Sequence, residues 1–151
     1  MKLKSSQMLS DSSMAIARFI NAENDLDRRL YWILSLTMLR GVGHTLDKRD
    51  AIDFPELREA VDEKWKNIQD KVTRDLSLKE RNSALKEYEL NFNWVPYDIT
   101  DNEGMVLSVE ETLQYTGKHY PPGTPPDHIL NEIYEFWRVY IEEFERMIKK
   151  I

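Results

Sequence analysis

Arg81, Asn82, Lys86 and Tyr88 stand close together in the segment Lys79-Glu80-Arg81-Asn82-Ser83-Ala84-Leu85-Lys86-Glu87-Tyr88. A guanidinium can anchor an anion, and an ammonium can clamp a phosphate as a point charge. The segment has no Gly, Pro or β-branched run and is rich in strong helix formers, so it reads as helix. At about 100° per residue Leu78, Ala84, Leu85 and Tyr88 form one apolar stripe, with Arg81 near its middle. A guanidinium there must find a partner or line a wet cleft, because an unpaired buried charge is costly. The positions three and four residues away hold Ser77, Leu78, Ala84 and Leu85. None is acidic, so no local ion pair is at hand. Arg81 is therefore either paired to another helix or the anchor of a site. By the same periodicity Tyr88 nearly eclipses Arg81, while Asn82 and Lys86 lie roughly 100–140° round on the adjacent flank. The alternatives are a solvated Lys86 and a core Tyr88 with its hydroxyl at the rim.

A second set is Arg40 and His44, four residues apart on a face shared with Ile33, Thr37 and Asp47. Either Asp47 holds the Arg/His pair near a helix end, or His44 enters a cleft as a proton carrier. Gly41 and Gly43 weaken a helix, which points to close approach by another one or to a helix break, the first being favoured. His119 and His128 flank a proline connector without a third ligand at metal spacing, so no metal site is expected. There is no Gly-rich phosphate loop and no Ser/His/Asp arrangement, and no cofactor is expected.

The elements that must position these groups read as mostly helical. Ser10, Asp11 and Ser12 are good N-caps ahead of Met14, Ile16, Ala17 and Ile20. One long helix, bent near Asn24-Asp25, is expected to run to about Lys48, with residues 1–10 as a frayed lead. From Leu30 to Leu39 it is apolar nearly all round, which suggests a central helix with one side toward a partner subunit. Asp50 to Pro55 is a turn. Glu56 to about Gln69 is an amphipathic helix through Leu57, Val61, Trp65 and Ile68, and residues 72–90 form the Arg81 helix. Trp94–Ile99 and Met105–Ser108 read as short strands joined by a hairpin loop at Asp101–Gly104. Val109 to Gln114 reads as a helical turn, and Tyr120–Pro126 as a stiff connector. The last helix carries Ile129, Leu130, Ile133, Phe136, Trp137, Tyr140, Ile141, Phe144 and Ile148. The expected fold class is all-α: a single domain over 1–151, a four-helix up-down bundle with a small β-hairpin insertion at about 91–124 before the last helix.

The chain has 151 residues, enough for a core without staples, and no cysteine, which excludes disulfides and thiolate metal sites. Net charge is −6, from 27 acids and 21 bases. That argues against extended duplex DNA binding but leaves room for a local basic cleft. No apolar segment follows Met1-Lys2-Leu3-Lys4 and none approaches a membrane span, so a cytoplasmic location without a membrane partner is expected.

Glu80-Arg81-Asn82 followed by Lys86-Glu87-Tyr88 resembles the HEPN superfamily of small helical-bundle proteins. Many of these carry Arg, a polar residue, three further residues, His, one residue, then Tyr. Arg81, Asn82 and Tyr88 stand at matching positions, and Lys86 occupies the His position. The run Leu39-Arg40-Gly41-Val42-Gly43-His44-Thr45-Leu46-Asp47-Lys48 looks like the first-helix segment of some bacterial members. The resemblance implies a homodimer whose motif helices flank a shared cleft. In active members the motif Arg and His cut RNA without metal, and some members are toxins paired with an antitoxin. Arg81, Lys86 and His44 are then the candidate catalytic groups, with Asn82, Tyr88 and Arg40 binding RNA or a nucleotide. Lysine is a cation at neutral pH and a poor base, so a weak or inactive ribonuclease of a toxin–antitoxin or phage-defence system is implied. The alternative from the residues alone is a non-enzymatic interaction module, an adaptor or antitoxin-like protein held to a cognate partner protein by the Leu30–Leu39 face.

Overall fold

The computed structural model describes residues 3–68 and 78–150. Two helices open the chain, α1 (Lys4–Ile20) and α2 (Asp25–Thr45). They run antiparallel, with Phe19 against Trp32 near the turn and Met8 against Thr45 at the far end. The expected single bent helix is thus broken into a hairpin. Asn24 is the reason: its backbone is extended and its Oδ1 accepts from Asp27 N at 2.8 Å. Asp25 and Asp27 then occupy the first turn, where the helix dipole favours acids.

The start of α1 also differs from the expectation. Ser10 and Ser12 are interior; Ser12 Oγ donates back to Leu9 O, and Ser13 Oγ to Ser10 O. The cap comes from a distant residue. Asp50, 1% exposed, accepts from Lys4 N at 2.7 Å, from Ser5 N at 2.9 Å and from Ser5 Oγ. A buried carboxylate here takes up two of the first backbone donors of the helix, which a local cap would otherwise take.

After α2 the chain continues through a π-helical turn (Leu46–Asp50), a single helical turn (Ala51–Asp53) and a 3₁₀ turn (Pro55–Leu57) into α3 (Arg58–Ile68). Gln69 and residues 72–77 of the expected Arg81 helix lie outside the described residues. The described part, α4, is helical over residues 78–82 and opens into a π-helical turn, Ser83–Glu87. Strands β1 (Phe92–Thr100) and β2 (Val106–Tyr115) form an antiparallel pair with Trp94 opposite Leu113 and Tyr97 opposite Glu110. The loop at Asp101–Gly104 forms as expected: Asp101 Oδ1 accepts from Glu103 N and Met105 N, and Gly104 takes φ 85°. The last helix, α5 (Pro126–Lys149), buries Ile129, Ile133, Trp137 and Ile141 at successive spacings of four against α1 and α2.

An all-α four-helix up-down bundle is therefore not what forms. The fold is mixed: a helical body built from α1, α2 and α5, with α3 beside it, plus a two-stranded antiparallel sheet. The strands are longer than expected, because Val109–Gln114 joins β2 instead of turning. Val109 and Thr112 are β-branched, and each finds a cross-strand partner in Asp98 and Val95. The base of the sheet is tied to the body by Phe92, whose ring meets Phe19 at 5.5 Å and Trp32 at 5.4 Å. Its outer part is exposed, including Tyr97, Ile99, Met105, Leu107 and Val109.

The segment Leu30–Leu39 is not buried all round. Trp32, Leu36 and Leu39 face the core, whereas Leu26, Leu30 and Leu34 form an exposed stripe at spacings of four. Among the described residues no helix is long and apolar enough to cross a membrane.

Candidate functional site

Arg40 and His44 lie on one face near the end of α2, a turn apart. Gly43 explains what stands beside them. A Cβ at this position would come within 2.5 Å of Trp137 Cη2 and 2.9 Å of Trp65 Cζ3, so only glycine lets both indoles close in. Trp65 thereby reaches His44, with ring centroids 6.3 Å apart. The close approach expected from Gly41-Val42-Gly43 is real, and at Gly43 it builds one wall of the site.

The pKa of His44 is lowered from its ordinary 6.5. Partial burial is the largest cause, and then the charge of Arg40; Lys48 and Arg81 push the same way, while Asp47 opposes them. Arg81, distant in sequence, thus lies within Coulombic range of His44, as the weakest of these influences. It is half-buried, and among the described residues it takes part in no salt bridge. Asp47 acts on His44 by its charge, but its carboxylate is bonded elsewhere. Its carboxylate is held by Arg58, which also donates to Asp47 O at 2.9 Å, and by Lys48 at 3.2 Å. The result is an imidazole whose neutral, proton-accepting form is favoured by burial and by nearby cations.

A direct check is a histidine titration by NMR. His44 is expected to titrate below 6.5, and Arg81→Ala to move its midpoint upward. Since the folded value lies below the unfolded one, the linked stability is present above about pH 6.5 and is lost as pH falls through the folded pKa. A midpoint unchanged by Arg81→Ala would remove Arg81 from the charges acting on His44.

The other motif residues separate. The 100° rule places Tyr88 over Arg81 only in a continuous α-helix, and the π turn breaks that phase. Tyr88 N donates to Ser83 O, and Tyr88 then leaves the helix in the left-handed region, at φ 52° and ψ 33°. It is 60% exposed rather than core, and lines a cleft with Asp25 and Arg29, away from the Arg40–His44 face. Lys86 is exposed on the π turn and is not among the charges acting on His44. Asn82 is half-buried at the last α-helical position.

Sequence reasoning missed Glu80. Its side chain, 1% exposed, accepts from the buried Tyr115 hydroxyl and from Asn91 Nδ2 at 2.7 Å. Burial first, and Glu80 second, push the Tyr115 hydroxyl well above its ordinary pKa of 10.0. Gly117 allows the chain to fold against that hydroxyl, where a Cβ would collide with it. Glu80 therefore bolts α4 to the base of the sheet and fixes the backbone from which Arg81 projects. The adjacency Glu80-Arg81 was the only sequence signal of this arrangement.

The chain matches no protein-family model, no curated protein and no solved structure.

Proposed function

We propose that the protein is a HEPN-like homodimer that binds RNA or a nucleotide by its phosphate, with Arg40, Arg81 and His44 as the contact groups. The charges of Arg40 and Arg81 acting on a partly buried His44, in a chain of net charge −6, support the reading. Two guanidiniums make charge-assisted hydrogen bonds to phosphate oxygens. A neutral His44 beside them takes the proton of a ribose 2′-hydroxyl. That oxygen attacks the adjacent phosphorus, the bond to the 5′-oxygen breaks, and the leaving oxygen takes a proton from water. With a lysine in place of the motif histidine and exposed, this ribonuclease activity is weak or absent, and binding is the primary function.

Arg81→Ala is expected to lower affinity for single-stranded RNA by about ten- to a hundredfold, the worth of a charge-assisted hydrogen bond. The slope of log affinity against log salt should also flatten by about 0.7 for each phosphate that is no longer neutralised. Filter binding across a salt series measures both. Unchanged affinity and slope would remove the phosphate site.

The second reading, an interaction module, is favoured by the exposed stripe Leu26-Leu30-Leu34 and by the exposed apolar side chains of the sheet. Light scattering separates the two. A monomer that still binds RNA retains the phosphate site without the dimer, whereas a stable assembly without RNA affinity favours the module.

A further inference from the structure

A cleft lies toward the opposite end of α2 from His44, where the start of that helix meets the base of the sheet. Its volume is about 400 Å³, within the range of small-ligand sites, and Asp25, Arg29, Tyr88, Phe92, Asn93 and Trp94 line it. Arg28 is bonded to Asp25 at 2.8 Å and lies over the Trp94 ring, 4.8 Å from its centroid. One side of the indole is thus occupied by a cation that holds it in place, and Trp94 remains 38% exposed. Arg29 Nε is buried and has no hydrogen-bond partner among the described residues. Asn93 Oδ1 accepts from Trp94 N at 2.9 Å, which leaves its amide hydrogens as donors. Tyr88 holds a left-handed backbone that non-glycine residues rarely adopt, and this turns its phenol out of the line of α4 onto the cleft.

We infer that this cleft binds a nucleobase, stacked on Trp94 and Tyr88 and hydrogen-bonded at its edge by Arg29 and Asn93. An apolar ligand would leave the buried Arg29 Nε without a partner. A bare phosphate would gain nothing from three aromatic walls and would meet the Asp25 carboxylate. A planar ring with a polar edge satisfies both halves of the lining, and stacking on aromatic side chains is how unpaired bases are held. The inference rests on the phosphate reading for one point only: α4 and its π turn join the two sites, so a strand held at Arg81 would run toward Tyr88. The base itself belongs either to a free nucleotide or to a single strand of RNA.

The test uses the full chain. AMP, GMP, CMP and UMP are titrated by calorimetry and by following the Trp94 indole resonance, assigned with Trp94→Phe. Ribose 5-phosphate is the base-free control, and a short single-stranded oligoribonucleotide is the second ligand. At least one base-containing ligand should bind and shift the Trp94 resonance, with ribose 5-phosphate doing neither. Tyr88→Gly relieves the left-handed strain, so it keeps the fold, and should weaken binding about ten- to a hundredfold. Binding of mononucleotides identifies a free nucleotide as the source, and binding of the oligonucleotide alone identifies RNA. Equal binding of ribose 5-phosphate, no shift of Trp94 with any ligand, or unchanged affinity in Tyr88→Gly overturns the inference. Oligonucleotide affinity that falls in Tyr88→Gly but not in Arg81→Ala keeps the base site and removes the phosphate reading.

Discussion

Glu80→Ala lowers the stability of the fold by about 3–5 kcal/mol, measured by urea unfolding at neutral pH. Two effects add. Truncation leaves a cavity in a site that is 1% exposed. It also strands two donors, the buried Tyr115 hydroxyl and Asn91 Nδ2, by removing their acceptor. A buried polar group left without a partner costs about 1–3 kcal/mol, more than the same hydrogen bond contributes when both partners are present. Tyr115→Phe is therefore the milder change, at about 1–2 kcal/mol, because Glu80 keeps Asn91. The double variant should cost less than the sum of the singles, since Glu80 and Tyr115 touch. Strict additivity, or a loss under about 1 kcal/mol in Glu80→Ala, would show that this hydrogen bond does not anchor α4.

Asp50→Ala is expected to cost about as much, roughly 3–5 kcal/mol. Loss of an ordinary exposed N-cap costs about 1 kcal/mol. Asp50 differs because it is buried and takes three donors at once, two backbone N–H groups and the hydroxyl of Ser5, itself fully buried. Removing the carboxylate leaves both Ser5 donors in a dry environment and Lys4 N without its cap. Asp50→Asn keeps one good acceptor and should lose less than half as much. The damage has a local signature: amide exchange in the first turns of α1 should accelerate more than exchange in α5. Uniform acceleration across both helices would mean that Asp50 acts on the whole body and not as a cap.

Both residues were illegible for the same reason. Asp50 acts on a helix end 45 residues earlier, and Glu80 on a tyrosine 35 residues later. In the sequence each is one acid among 27. Burial distinguishes them, and burial depends on which surfaces meet. The hairpin loop at Asp101–Gly104 was legible because its hydrogen bonds are local. The extent of β2 was not, because Val109–Gln114 suits either state until a partner strand is present. Asn24 carried a local cap signal that the apolar pattern on either side masked.

The candidate site divides in the same way. The pairing of Arg40 with His44 follows from a spacing of four in a helix, and the need for glycine at position 43 follows from its weakness there. The charge of Arg81 felt at His44 does not follow from spacing, nor does the departure of Tyr88 toward Asp25 and Arg29. Periodicity assumes one helical pitch, and the π turn at Ser83–Glu87 changes it just where the motif is densest.

From its residue order alone the chain settles a mainly helical body, the amphipathic last helix, a turn at 101–104 and an excess of acid over base, all properties of neighbouring residues. Tertiary structure alone decides that the body is a three-helix core with an attached sheet, that burial and nearby cations lower the pKa of His44, and that Tyr88 turns away from its helix to line a cleft at the start of α2. These depend on desolvation and long-range Coulomb forces, which exist only once distant segments are packed together.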